Sequence, residues 1–200
     1  METITILHEV EAWRAWKIDS DNGQLVLRSL GIDYQWPVRQ EVRAVCQREK
    51  IGWGSPHFGE GIPNASCTCG FWATKHRELA PRPLMNFTYR IGIVGGKVAL
   101  WGDIIEHEEG FRAQFAYPLS LEEAVCSESD SIVPIREAIL QLRASRWSIP
   151  SYPGDSSYAP VCRRCHSNFF RRFRRTRAVQ YWQDTIADRY GFQLPGCFDR

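Results

Sequence analysis

Apolar and polar residues alternate along much of the first 120 positions, the period-two signature of half-buried strands. Residues 3–7, 13–18 and 24–30 are rich in β-branched and aromatic side chains, and Asp21-Asn22-Gly23 between the last two is a hairpin-turn sequence. Residues 41–46 fit a further strand. The clearest stretch predicts an antiparallel meander over 87–117, with strands at 86–94 and 97–107 joined by a turn at Gly95-Gly96. A third strand at 111–117 follows Glu108-Glu109-Gly110. Between residues 51 and 63 the chain holds four Gly and two Pro, so this is a loop, and a loop of that length needs something to fix it.

Beyond residue 118 the period changes. Ser120-x-x-Glu123 is a capping box and predicts a short helix through Cys126. Pro134 suits a first helical turn, and Ile135, Ile139 and Leu142 at i, i+4, i+7 predict a second helix ending near Arg146. Residues 148–160, rich in Ser, Pro, Tyr and Gly, read as a linker. After it, Phe169, Phe173, Val179, Trp182, Ile186 and Tyr190 fit one helical face, with Gly191 as the stop.

Composition narrows the class. At 200 residues, 44% apolar and 24% charged, the chain is not wholesale disordered. No apolar run approaches the roughly 18–20 residues needed to cross a bilayer, so no membrane partner is expected. The N-terminus carries acids and Trp where a secretory signal carries Lys or Arg and then an apolar block, which predicts a cytoplasmic protein. The net charge of +2 conceals an asymmetry: residues 160–180 hold seven Arg and no acid, leaving the rest at −5. A short, strongly basic segment on a mildly acidic body predicts a patch for a polyanion or an acidic partner.

Seven Cys without a secretory signal point to metal binding rather than to a disulfide framework. Cys46, His57, Cys67 and Cys69 form a C-x10-H-x9-C-x-C set, one imidazole and three thiolates. That is a tetrahedral Zn²⁺ complement, and it would staple the Gly/Pro loop to the strand before it. Cys162-Arg-Arg-Cys165-His166 is a second candidate, a knuckle leading into a helix. Its missing ligands are either Cys67 and Cys69, in one site spanning the chain, or His166 and Cys197, in a second site. Cys126 reads as an ordinary core residue.

These elements predict an α+β protein. A small antiparallel β-sheet domain stapled by zinc covers residues 1–118, and a helical C-terminal region follows. That region comprises a helical segment at 119–147, the linker at 148–160, and a Cys knuckle with a basic helix at 161–200. Arg171, Arg172, Arg174, Arg175 and Arg177 on that helix are candidates for phosphate contact. The expected function is non-enzymatic: an interaction protein for DNA, RNA or a nucleic-acid-associated partner, or an adaptor or inhibitor for an acidic protein. Trp53, in the Gly-rich loop, is a candidate ligand contact.

An enzymatic alternative rests on His107-x-Glu109 followed by Cys162-x-x-Cys165, elements that occur in zinc nucleobase deaminases as H-x-E and P-C-x-x-C. Here an extra Val separates Pro160 from Cys162, and His107 lies in an apparent hairpin turn where that chemistry needs a helix start. His76-Arg77-Glu78 shows how readily the short pattern arises. There is no G-x-S-x-G, phosphate-binding loop or dinucleotide fingerprint.

Several motifs recur in order: Trp13-Arg14-Ala15-Trp16, Leu27-Arg28-Ser29, Trp36-Pro37, then Cys46, His57 and Cys67-Thr68-Cys69-Gly70. Next come Gly96-Lys97-Val98-Ala99-Leu100-Trp101-Gly102, His107, Gly110-Phe111-Arg112-Ala113 and Ala116-Tyr117-Pro118. Over roughly residues 10–120 this order resembles uncharacterised hypothetical proteins of bacteria and their phages. The resemblance implies that the C…H…C-x-C set belongs together. It implies no activity.

Overall fold

In the computed structural model, the described residues are 3–30, 32, 34–46, 57, 61–79, 92–142, 158–172, 178–179, 182–192 and 194. Among the described residues the structure is mostly β, 50% strand and 15% helix: the antiparallel β-sheet is as expected, while the helical content is limited to two helices. The first sheet comprises β1 (Thr3–Asp21), β2 (Gln24–Arg28), β3 (Val42–Arg43), β4 (Phe71–Thr74), β5 (Ile93–Glu106), β6 (Gly110–Pro118), β7 (Glu123–Val125) and β8 (Ile132–Pro134). A second sheet is built from β9 (Ala138–Leu142), β10 (Tyr158–Cys162) and β11 (Ala178–Val179), with β9 in the centre. The helices are α1 (Arg163–Arg172) and α2 (Trp182–Tyr190).

The first sheet closes on itself. Strand β1 pairs with β5, β5 with β6, β6 with β4, and β4 returns to β1 through the Trp13–Thr74 pair. Alternation along these strands sends Ala12, Trp16 and Ile18 of β1, Phe71 and Ala73 of β4, and Val94, Val98 and Leu100 of β5 into one core. Trp36 lies edge-on to Trp16 at 5.9 Å and tilted against Phe71 at 5.3 Å, so aromatic rings fill the wide interior. Helix α2 joins the same core through Trp182, Ile186, Ala187 and Tyr190. Arg112 of β6 points to the opposite face from Phe111 and Ala113, and that face carries the site described below.

Local chemistry accounts for the agreements. The β1–β2 turn has Asn22 at φ 50° and Gly23 at φ 78°, the left-handed pair that a two-residue hairpin requires. The predicted strands at 3–7 and 13–18 are one long strand, and the predicted hairpin between residues 97–107 and 111–117 is formed by β5 and β6.

Other expectations are corrected. Gly95-Gly96 is not a turn; β5 runs straight through it. A Cβ on Gly96 would lie 2.0 Å from the Ser120 carbonyl oxygen, so glycine is needed because the chain entering β7 crosses directly over the strand. The Ser120 side chain caps no helix. Its hydroxyl accepts the Lys97 N–H at 3.2 Å, and residues 123–125 form a strand paired to β5. Ile135, Ile139 and Leu142 do not share a helix: after a single 3-10 turn at 135–137 the chain becomes β9. Pairing with both β10 and β11 overrides the helical spacing. The single long helix over Phe169–Tyr190 is likewise two helices with β11 between them.

Candidate metal centre

Cys46 lies three residues beyond β3, where the Ala44 N–H still bonds the Gln114 carbonyl of β6 at 2.8 Å. Cys67 and Cys69 lie immediately before β4, and His57 comes from the Gly/Pro-rich loop. All four side chains are buried, and their sulfur and nitrogen ligand atoms lie within 4.8 Å of one another. The Cys46 and Cys67 sulfurs are 3.8 Å apart, and the Cys69 sulfur is 3.5 Å from His57 Nε2. This group can hold a metal ion. His57 Nδ1 faces the Gly61 carbonyl at 3.4 Å, the arrangement that leaves Nε2 as the coordinating nitrogen.

The loop carrying the two cysteines is shaped by hydrogen bonds. Asn64 is buried, and its side-chain oxygen accepts from the Ser66 N–H at 2.9 Å and from the Ser66 hydroxyl at 2.6 Å. The Cys67 N–H bonds the Asn64 carbonyl at 3.2 Å. Gly70 follows at φ 107°, a left-handed value that lets the chain turn from Cys69 into β4. Arg112 completes the arrangement. Its Nη1 donates to the carbonyls of Asn64 and Cys69, each at 3.2 Å, and to that of Cys67. Its Nε donates to His107 Nε2 at 2.9 Å, and its guanidinium lies 5.2 Å from the centre of the Trp72 ring.

Electrostatics follow from this packing. Burial pushes the Cys67 thiol up, but the Cys69 backbone N–H and the contacts with His57 and Cys46 outweigh it and bring the group down to about 7. Cys69 goes the other way, to about 11, chiefly from burial and also from the neighbouring thiols. A cation would be the natural charge to balance thiolates gathered at this distance.

Beside the centre opens a cleft of about 580 Å³. Cys46, Cys67 and Cys69 lie along one side, and Arg14, Arg43, Tyr34, Phe71 and Trp72 line the rest. Ile32, Val45 and Trp72, three of the four exposed large apolar side chains among the described residues, lie on this cleft. The Arg14 guanidinium lies 5.2 Å from the Trp36 ring centre and 6.0 Å from that of Phe71, and it donates to the Trp72 carbonyl. Burial lowers its pKa to about 10. Arg43 lies 5.9 Å from the Phe115 ring centre.

A second group, Cys126, Cys162 and Cys165, brings three sulfurs within 4.8 Å of one another. Of the two sequence-based partnerships for the knuckle, the one with Cys67 and Cys69 does not match this grouping. Cys67 and Cys69 belong with Cys46 and His57, and the third sulfur beside Cys162 and Cys165 is Cys126, which the sequence marked only as core. His166 is outside the group, and Cys197 lies outside the described residues. The six cysteines among the described residues are all free thiols. His107 sits at the β5–β6 turn, stacked on Trp72 at 5.3 Å, and neither it nor Glu109 belongs to either group.

Arg163 and Arg164 are exposed on the first turn of α1, and Arg171 and Arg172 are its last two residues. Arg174, Arg175, Arg177 and Trp53 lie outside the described residues. Among the described residues no helix is long and apolar enough to cross a membrane. Arg14, Arg43 and Arg112 were hardly legible as site residues from the chain pattern alone. Their signal was an arginine within an otherwise strand-like, aromatic run, as in Gly110-Phe111-Arg112-Ala113. Comparison of the chain with protein families, curated proteins and solved structures found no match.

Proposed function

We propose that this protein is a non-enzymatic, zinc-stapled binding module whose ligand is nucleic acid, most suitably single-stranded. The observation that carries the zinc reading is the spacing of the ligand atoms at Cys46, His57, Cys67 and Cys69. A tetrahedron with Zn–S of about 2.3 Å and Zn–N of about 2.05 Å has S···S edges of ~3.8 Å and S···N edges of ~3.6 Å. Two of the six edges here are 3.8 Å (S···S) and 3.5 Å (S···N), and all lie within 4.8 Å. With all four positions supplied by the protein, such an ion has no vacancy for a substrate, which favours a structural role over a catalytic one. Its effect would be to tie Cys46 to the segment 67–70 ahead of β4 and so fix that wall of the cleft.

The nucleic-acid reading is supported by the composition of that cleft and by the basic segment. Guanidiniums from Arg14 and Arg43 beside Tyr34 and the exposed Trp72 suit a phosphate backbone with unstacked bases. The seven Arg between residues 160 and 180 would add sequence-independent attraction. An acidic protein segment is the competing ligand for the same charges.

The test is fluorescence anisotropy with labelled single-stranded DNA and RNA across a salt series. The expected result is binding whose log affinity falls linearly with log salt, weakened at least tenfold by Arg43→Glu. It should be abolished by joint Arg→Glu changes at 171, 172, 174 and 175. No binding at low salt by zinc-replete protein, or binding that survives both charge reversals, would sink the nucleic-acid reading.

A further inference from the structure

We propose a second metal site, made by Cys126, Cys162 and Cys165 as three protein thiolates, with a fourth coordination position open to solvent. It goes beyond the zinc staple and the nucleic-acid reading, and depends on neither.

The three sulfurs come from separate elements. Cys126 follows β7, Cys162 ends β10, and Cys165 lies in the first turn of α1. Cys126 is completely buried, and Cys162 and Cys165 are half-buried. Thirty-six residues separate Cys126 from Cys162, so their meeting is a product of the fold: the β7–β8 turn packs against the end of the second sheet. The Ser127 N–H bonds the Pro160 carbonyl at 2.9 Å and ties the two segments directly.

The polar surroundings suit thiolates. The Cys162 N–H points at the Cys126 sulfur at 3.3 Å, and the Cys165 N–H points at the Cys162 sulfur at 3.4 Å. Backbone N–H groups directed at sulfur stabilise the anionic, metal-binding form, and the first turn of α1 adds the positive end of a helix dipole. None of the three is in a disulfide. A thiophilic divalent ion such as Zn²⁺ fits this donor set, and its binding would release the thiol protons to solvent without any redox change.

What distinguishes the group from the first centre is the count among the described residues. The first centre brings four ligand atoms together; here three converge. The half-exposed edges of Cys162 and Cys165 leave the remaining position to water or to a small donor molecule. An ion with a free position is labile, and it can accept an outside thiolate, imidazole or anion.

Elemental analysis of the full chain purified under reducing conditions should find two zinc ions per chain. Cys165→Ser and Cys126→Ser should each lower this to one, while Cys46→Ser removes the other ion. Because the Cys126 variant alters the core, the half-buried Cys165 variant decides if the former does not fold. Zinc content that is the same in the wild type and in the Cys165 variant overturns the proposal. The open position is read separately by loading the protein with Co²⁺ and adding thiocyanate or imidazole. The visible bands should shift in the wild type and in Cys46→Ser, but not in Cys165→Ser. Bands that do not respond in the wild type would overturn the open-position assignment. Failure of these tests leaves the first centre standing, and loss of zinc in Cys46→Ser alone would show that the first centre is the only one.

Discussion

Arg112 Nη1 donates to the carbonyl oxygen of Cys69 at 3.2 Å, and the same nitrogen reaches the carbonyls of Asn64 and Cys67. One buried guanidinium therefore sets the curvature of the loop that presents two of the four ligand atoms. Removing it would leave three carbonyls short of a partner, at about 1–3 kcal/mol for each one left dry. Arg112→Met should lower stability by roughly 3 kcal/mol. It should also weaken zinc binding about 10–100-fold, as loss of a supporting partner around metal ligands does. Urea denaturation and competition with a chromophoric chelator measure the two effects. Unchanged zinc affinity would show that the loop holds its shape without Arg112.

Removal of the metal itself should be felt throughout the barrel wall. An ion present at 1,000 times its dissociation constant stabilises by about 4 kcal/mol. Cys46→Ser or treatment with a strong chelator should therefore lower Tm by roughly 10 °C for a chain of this size. The barrel core is built from residues outside the centre, so the metal-free chain should remain folded at room temperature. Calorimetry on matched loaded and stripped samples tests this, and an identical Tm in both would remove the stapling role.

The stability of the fold should also depend on pH through His107. Burial first, and the Arg112 charge second, hold its pKa below the ordinary 6.5. The neutral ring accepts the Arg112 Nε–H, an interaction that protonation abolishes. As pH falls through 6.5 the unfolded chain takes up a proton that the folded chain resists. The contribution of this group is therefore complete above pH 6.5 and is lost as pH drops toward the folded-state value. His107→Gln keeps an acceptor for Arg112 and removes the titration. The difference in urea midpoint between wild type and variant, both metal-free, should change across pH 6.5 in that direction.

Helix α2 is held to the barrel by a phenol. The Tyr190 hydroxyl accepts the Leu27 N–H at 2.9 Å and donates to the Trp36 carbonyl at 3.0 Å, and all of these groups are buried. Tyr190→Phe keeps the ring and strands both backbone groups, so it should cost about 2 kcal/mol or more in urea unfolding. Tyr117→Phe should cost less. Its hydroxyl donates to the Tyr190 carbonyl at 2.5 Å and accepts the Arg39 N–H at 3.0 Å in partly exposed surroundings.

The features legible in the sequence were those fixed by neighbours along the chain. Asn22-Gly23 announced its hairpin because only such residues accept two left-handed positions in succession. Trp182, Ile186 and Tyr190 announced the buried face of α2, and Gly191, at φ 76°, its end. The set Cys46, His57, Cys67 and Cys69 was readable because metal chemistry limits the residue types. Where a distant segment decided the outcome, local pattern misled. Gly95-Gly96 looks like a turn until Ser120 is seen to cross it, and Ile135 with Ile139 looks helical until β10 and β11 flank that strand. Cys126 carries no sequence mark at all, since its partners lie across the fold.

The ring of strands is fastened at one rung. Strand β4 has four residues, pairs along its whole length with β6, and has a single ladder pair with β1, Trp13–Thr74. A cylinder joined so narrowly has a seam, and thermal fraying will begin there rather than along the long β1–β5 zipper. The seam strand begins two residues after Cys69, so whatever anchors that cysteine also governs how often the cylinder gapes. Amide protons of β4 should exchange with solvent at a pace set by the occupancy of the neighbouring centre, making the seam a built-in reporter of whether the ion is in place.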